Sequence, residues 1–426
     1  MATRVCSYSK INLGLAIGPV RPDGFHGLVT LYQTLALHDV VTVKARRARV
    51  GGTTRIVLTT NHPFVPTNER NTVWKMVEKV LLRLEIAAEV TIHIEKNLPV
   101  QGGMGAGSAN AAAALIGLER EIGVALPEAD RMTVAAEVGS DVPLFLLGGA
   151  VLGTGRGEIV EAMPDLPGTV CLIAVPGVGV STPAAFREWD KRHAGVGGSE
   201  SEPGSQRGLE PEGGRGAGID SGWDAGPDLG RGVGIEGQVG EAVLGGGLQG
   251  SPGPGVEEAG SVIGVGLTQA PLPDTLMKLS HAYASVFRRE KSGTSGIVPG
   301  NASENLQSKS DLSDSDRTQP ENDLAENILL SLVRAGVEND FEEVVFSEYP
   351  SLREIKRCLM GINTAAPALY AALSGSGSAL FGLYRSLADA EAAQQRVQNA
   401  GLEFGIKTFL TETLPRPEYW ARMFAG

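Results

Sequence analysis

Cysteine is scarce: Cys6, Cys171 and Cys358 are the only three in 426 residues. So few, and so far apart, they exclude a disulfide framework and offer no metal-ligand spacing. Each reads as a small core residue. Aromatic residues are also few, at 5%. No run approaches the ~18 consecutive apolar residues of a membrane span, so none is expected. The first ten residues, Met1 to Lys10, lack an apolar segment followed by a cleavage site, and the expected compartment is the cytoplasm. An excess of cations is missing too. The 37 Lys+Arg stand against 49 Asp+Glu, a formal net charge of −12, which argues against a general nucleic-acid binder.

What is present is the composition of an ordinary globular chain, 42% hydrophobic and 20% charged, long enough for two or three domains. Composition breaks after Trp189. Between Gly195 and Gly266 there are 25 glycines and one aromatic residue, Trp223. The same window holds eleven Asp/Glu, three Arg and no Lys, so it supplies −8 of the net charge. It has no three-residue glycine period, which excludes collagen. With so little apolar surface to offset the entropy of ordering, 195–266 is expected to be a disordered insertion. A second polar stretch, 301–322, is expected to be a flexible loop. Asp274 to Arg289, between them, has helical apolar spacing.

The most informative stretch runs from Asn97 to Leu115. Before it, Val90 to Glu95 alternates apolar and polar residues and reads as a strand. Its centre, Gln101-Gly102-Gly103-Met104-Gly105-Ala106-Gly107, is glycine-rich. After it, Ala109 to Leu118 is rich in the best helix former. A strand, a glycine loop and a helix start point free backbone N–H groups at an anion, and the helix dipole assists. Ser108 stands at the expected N-cap. Gly102 to Gly107 fits the first half of a P-loop, but Ser108-Ala109 replaces its Lys-Ser/Thr. A glycine-rich turn feeding a buried helix is the competing reading.

In chain order, strands are expected at Val5 to Ile17, Leu28 to Leu37, Val40 to Lys44 and Ile56 to Thr59, then a helix over Asn71 to Leu84. After the glycine loop come a helix over Pro127 to Val138, one or two buried strands over Leu144 to Gly153, and a strand over Val170 to Val175. Later helices are expected over Asp323 to Arg334, Ser351 to Met360 and Leu387 to Asn399. Short strands fall at Ala368 to Leu373, Ala379 to Tyr384 and Phe404 to Leu410. The turn Ser374 to Ser378 either closes a hairpin or covers a phosphate from the side opposite the first loop. This order predicts an α+β second domain packed on the first.

Several motifs occur together: Ser9-Lys10-Ile11-Asn12-Leu13, Arg21-Pro22-Asp23-Gly24-Phe25-His26, Leu98-Pro99 through Ala112, Gly139-Ser140-Asp141-Val142-Pro143, Ser181-Thr182-Pro183, Asn339-Asp340-Phe341-Glu342 and Leu373-Ser374-Gly375-Ser376-Gly377. With them the chain resembles the GHMP kinase superfamily, and the Arg-Pro-Asp-Gly-Phe-His run points to its branch acting on a cytidine diphosphate-linked polyol. The resemblance implies an α+β, two-domain GHMP kinase fold, with an N-terminal domain like domain 2 of ribosomal protein S5 and a ferredoxin-like C-terminal domain. The expected division is 1–190 for the ATP-binding domain, 195–266 for the insertion and 267–426 for the C-terminal domain.

The resemblance also implies roles. Lys10 and Asp141 are the expected catalytic pair, Asp141 taking the proton of the acceptor hydroxyl and Lys10 stabilising the charge. Pro99, Val100, Gln101, Gly102, Gly103, Met104, Gly105, Ala106, Gly107, Ser108 and Ala109 are expected to hold ATP, with Lys96 and Asn71 on its adenine side. Asn12, Phe25, His26, Thr182 and Phe186 are expected to bind the substrate, Phe25 and Phe186 stacking on opposite faces of a cytosine. Phe25 stands where this branch commonly has tyrosine, Gln101 where it has glycine, and Ala109 where serine is common. ATP and Mg²⁺ are the implied cofactors, with no protein metal-ligand set and the ion held mainly by phosphates and water. Expected partners are ATP and the small molecule cytidine diphosphate methylerythritol, with no nucleic acid and no membrane, in a monomer or homodimer. Homoserine-type and mevalonate-type kinases, or a catalytically silent metabolite binder, are the alternatives within this fold.

Overall fold

The computed structural model describes residues 2–100, 102–193, 337–400 and 405–424. The expected insertion 195–266, the helices Asp274 to Arg289 and Asp323 to Arg334, the loop 301–322 and Gln101 lie outside the described residues.

The first sheet contains β1 (Thr3–Val20), β2 (His26–Arg47), β3 (Arg55–Thr60), β4 (Ala88–Glu95), β5 (Ala150–Thr154) and β6 (Ile159–Ala162). Its order is β3-β4-β2-β5-β6, with β1 paired antiparallel to β2. Leu28 to Leu37 and Val40 to Lys44 form one strand, not the two expected. His38 and Asp39 continue the ladder opposite Tyr8 and Ser7. Asp39 is fully buried. Its carboxylate accepts from the Asn97 and Leu98 amides at 2.7 and 2.8 Å and pairs with Lys96, so a polar residue sits inside the strand without breaking it.

Three helices cover one face of this sheet: α1 (Thr72–Arg83), α2 (Ala106–Ile122) and α3 (Glu128–Val138). Val73, Met76, Val77 and Val80 of α1 and the alanines of α2 pack on Val90, Ile92 and Ile94 of β4. The small residues of α2 let it lie close to the strands: a Cβ on Gly117 would come 2.8 Å from Val43.

The second sheet, all antiparallel, has the order β10-β7-β9-β8. Its strands are β7 (Val170–Pro176), β8 (Tyr370–Leu373), β9 (Leu380–Tyr384) and β10 (Ile406–Glu412). β7 is central here although it precedes the expected boundary at residue 190. One face of this sheet packs on the first, Cys171, Ile173, Phe381 and Leu383 meeting Ile11, Leu13, Leu31 and Leu35. The other carries α5 (Thr182–His193), α6 (Phe341–Glu348), α7 (Pro350–Met360) and α8 (Leu387–Asn399). The site described below lies where the two sheets meet.

Leu144 to Gly153 is not strand throughout. Leu144–Leu147 forms a short helix, α4, and only Ala150–Thr154 is strand. Pro143 suits a helix start, and Gly148 and Gly149, at φ +69° and +71°, turn the chain from α4 into β5. A final helix, α9 (Arg416–Ala421), was not legible in the sequence. It straps the chain end onto α4: the Tyr419 hydroxyl donates to the Phe145 carbonyl at 2.6 Å and the Trp420 indole to that of Leu147 at 3.0 Å. A Cβ on Gly148 would lie 2.3 Å from the Tyr419 ring.

Candidate active site

β1 presents Lys10 and Asn12, two residues apart and so on one face of the strand. Both are buried, Lys10 being 3% exposed. The Lys10 ammonium donates to Asn12 Oδ1 at 2.6 Å and lies 3.4 Å from Asp141 Oδ2. Asn12 in turn donates to the Thr30 hydroxyl at 2.7 Å. Asp141 lies in the turn between α3 and α4, its side chain 23% exposed. Its other oxygen, Oδ1, accepts from the Tyr32 hydroxyl at 2.9 Å, and the Lys10 ammonium stands 5.4 Å from the Tyr32 ring centre. Burial first, then the Asp141 charge, push the Tyr32 phenol well above its ordinary range, so it serves as a donor and not as a phenolate. Gly153 and Gly157 make room for this ring: a Cβ on either would come within 2.6 Å of it or of its hydroxyl. Lys10 and Asp141, far apart in the chain, thus meet. Tyr32, absent from the sequence-derived set, joins them.

The glycine loop lies against this pair. The Lys10 amide donates to the Met104 carbonyl at 3.1 Å, and a Cβ on Gly105 would lie 3.2 Å from the Lys10 side chain. The helix cap is Gly105, at φ +70°, and not Ser108, which falls in the first turn. A left-handed residue turns the chain into the helix three positions earlier than a serine cap would. No side chain caps α2, whereas Asn71 caps α1 by accepting from Val73 N–H at 2.9 Å. The first N–H groups of α2 are therefore left for an anion at the positive end of the dipole. Ala109 is 2% exposed and packs in the core. Pro99 is half-buried, and Val100 and Gly107 are exposed.

The second glycine turn closes on the first. Gly102 bridges Ser378, and the Ser374 hydroxyl donates to the Gly103 carbonyl at 3.1 Å. Ser374 to Ser378 thus joins β8 to β9 as a hairpin and packs on the glycine loop.

Lys96 and Asn71 flank the loop with their side chains engaged. The Lys96 ammonium is buried against Asp39, which ties the end of β4 to β2. Asn71 donates to the Pro66 carbonyl at 2.7 Å in addition to its cap. Its neighbour Thr72 holds the Gly107 carbonyl at 2.8 Å.

His26 and Phe186 meet at the junction of the β1–β2 turn with α5, with Phe25 beside His26 in the chain and Thr182 one helical turn before Phe186. His26 stacks directly on Phe186, ring centres 5.0 Å apart at 8°. Phe25 is 44% exposed and carries the Arg156 guanidinium 5.0 Å from its ring centre. His26 Nδ1 lies 2.9 Å from the Gly18 carbonyl, and Nε2 lies 3.0 Å from Asp190 Oδ1. Asp190 and Phe186 are one helical turn apart on α5, so a single face grips the imidazole. Neither Asp190 nor Arg156 carries a sequence signal of its own; only the folding of α5 and of the β5–β6 turn brings them here. At the start of α5, the Thr182 and Ser376 hydroxyls are 2.6 Å apart, linking this cluster to the second glycine turn.

The arrangement offers a buried cation beside a carboxylate, at the uncapped start of a helix, with an aromatic cluster on a neighbouring helix. Residues 71–149 match the family of GHMP kinases N terminal domains, and residues 322–402 match the GHMP kinases C terminal family. A Nocardioides sp. protein named 4-diphosphocytidyl-2-C-methyl-D-erythritol kinase is 41% identical over 184 residues, 43% of this chain and 61% of that protein. A Synechococcus sp. protein of the same name is 38% identical over 204 residues, 47% of this chain and 64% of that protein. The chain thus matches less than two thirds of the length of these relatives. A crystal structure of 4-(cytidine 5'-diphospho)-2C-methyl-D-erythritol kinase shares the fold, with TM-score 0.52 at 19% identity over 96% of this chain and 99% of that one.

Proposed function

We propose, for a chain that carries both GHMP kinase domains in the GHMP kinase fold, that it transfers the γ-phosphoryl group of ATP to the 2-hydroxyl of 4-diphosphocytidyl-2-C-methyl-D-erythritol. The observation that carries this reading is the Lys10–Asp141 pair, 3.4 Å apart, set beside the uncapped start of α2. The acceptor hydroxyl gives its proton to Asp141 as its oxygen bonds to the γ-phosphorus, and the bond from that phosphorus to the β,γ-bridging oxygen breaks, leaving ADP. Lys10, pinned by Asn12, offsets the charge on the oxygens in flight. The glycine loop and the first turn of α2 hold the ATP phosphates. Phe25, the His26–Phe186 stack and Thr182 receive the cytidine end. The two relatives named above support this substrate.

Among the described residues no group of three or more His, Cys, Asp or Glu is placed to hold a metal ion. Mg²⁺ fits instead as an ion carried by the ATP phosphates, neutralising charge during transfer. Ser108 and Asp141 would be the side chains to reach such an ion, Ser108 Oγ lying 3.7 Å from the position of a Cβ on Gly139, two residues before Asp141.

The test is an ADP-release assay with ATP and 4-diphosphocytidyl-2-C-methyl-D-erythritol, run beside homoserine and mevalonate. Turnover is expected with the cytidine compound alone, with CMP as a competitive inhibitor. Turnover with homoserine or mevalonate and no inhibition by CMP would assign another kinase of this fold. ATP-dependent turnover with none of the three would leave a metabolite binder.

Tyr32→Phe tests the support of Asp141. The substitution keeps the ring between Gly153 and Gly157 and removes one hydrogen bond to a carboxylate, an interaction of about 1.5–3 kcal/mol. In steady-state kinetics kcat should fall roughly tenfold or more with KM for ATP unchanged; an unaltered kcat would remove Tyr32 from the site.

A further inference from the structure

We infer that Asn339 is a positioning residue for phosphoryl transfer, acting through the second glycine turn; the inference rests on the kinase reading above. Asn339 is 3% exposed and lies in neither glycine loop. Its amide is fully engaged. Nδ2 donates to the Leu373 carbonyl at 2.9 Å and to the Gly375 carbonyl at 2.8 Å, while Oδ1 accepts from Phe341 N–H at 3.1 Å. Asn is the side chain that can grip two carbonyls with one nitrogen and cap a turn with its oxygen.

Both ends of this brace matter to the site. On one side Asn339 bridges Leu15 of β1, the strand that carries Lys10 and Asn12, with Leu15 N–H donating to the Glu338 carbonyl and Asp340 N–H to that of Leu15. On the other it holds Gly375, at φ +58°. There a Cβ would lie 3.4 Å from Asn12 Oδ1 and 3.7 Å from both Lys10 Nζ and the Gly103 carbonyl. Asn339 therefore sets the spacing between the lysine strand, the second glycine turn and the phosphate loop. Its own atoms are spent on backbone, so it touches no reacting group.

The experiment compares Asn339→Ser and Asn339→Asp in the full chain. A serine hydroxyl can still accept from Phe341 N–H but cannot span two carbonyls. The aspartate keeps that acceptor and turns an oxygen toward carbonyls that now lack a donor. Three quantities are read: calorimetric affinity for a non-hydrolysable ATP analogue, inhibition by CMP, and kcat. Both variants should lose about tenfold or more in analogue affinity and in kcat, Asp more than Ser, with a smaller change in the CMP inhibition constant, since Ser376 of the same turn reaches Thr182. If Asp does not fold, Ser decides. Unchanged analogue affinity and kcat in folded Asn339→Ser overturns the inference, and so does a loss of CMP binding as large as the loss of analogue binding, the mark of a merely structural role. A parent protein that binds the analogue and leaves the cytidine substrate untouched would defeat the kinase reading instead, and the analogue affinities would still judge Asn339.

Discussion

Asp141→Asn should fold as the parent does and lose kcat by about 10²- to 10⁴-fold, the contribution expected of a positioned general base. The amide is nearly isosteric with the carboxylate, so the turn between α3 and α4 keeps its shape. What changes is the chemistry on both sides. The Tyr32 hydroxyl still finds an oxygen if the amide oxygen takes the place of Oδ1. The amide nitrogen, a donor, then faces the Lys10 ammonium where Oδ2 stood at 3.4 Å. Lys10, 3% exposed, loses its counter-charge while keeping Asn12. Because the charge left unpaired is the buried Lys10 ammonium, the variant should also melt below the parent while remaining folded. Single-turnover rates beside thermal unfolding separate the two effects. A variant that turns over at the parental rate would strip Asp141 of the base role, and one that loses both stability and ATP affinity would make it a structural residue.

Much of what surrounds this pair was legible in the sequence, for local reasons. Val90, Ile92 and Ile94 alternate with polar residues, and β4 forms there with its apolar side inward. Alanines follow a glycine run, and α2 forms there. A helix was expected over Asn71 to Leu84, and α1 forms over Thr72–Arg83 with those two residues as its caps. The meeting of Lys10 with Asp141 had no local signal; only resemblance to a family joined them. Tyr32 lies unremarked within the strand expected over Leu28 to Leu37, and its hydroxyl acquires a partner only when the turn after α3 brings Asp141 to β2. α4 was misjudged because four apolar residues fit a buried strand as well as a helical turn. Neither α5 nor Asp190 was expected from the sequence, and Asp190 meets His26 only because α5 packs on the β1–β2 turn. The pattern is physical. Periodicity and glycine punctuation report what a residue does with its neighbours in the chain, while a site at the junction of two sheets is made by neighbours in space.

Gly103→Ala should be the most damaging single methyl group in the chain's catalytic half. Gly103 sits at φ +77°, a region that costs an L-residue roughly 1–2 kcal/mol. The greater obstacle is space. A Cβ there would lie 2.1 Å from the Ser374 carbonyl oxygen and 3.3 Å from that of Gly377. Both obstacles are backbone, so no side chain can swing aside. The two glycine turns must part, breaking the Ser374–Gly103 hydrogen bond and moving the first glycine loop relative to Lys10. A displacement of the order of 1 Å in a positioned site can cost about 10²-fold in rate, and that is the loss expected in kcat/KM for ATP. Gly51→Ala supplies the control. Gly51 has the same left-handed backbone, at φ +80°, with nothing within 4 Å of a Cβ, so it bears the conformational cost without the collision. Measured side by side, Gly51→Ala should lower the melting temperature slightly and leave kcat/KM for ATP intact, while Gly103→Ala should abolish most of it. Equal effects in the two variants would mean that backbone strain alone is at work and that the closure of one glycine turn on the other has no part in holding ATP.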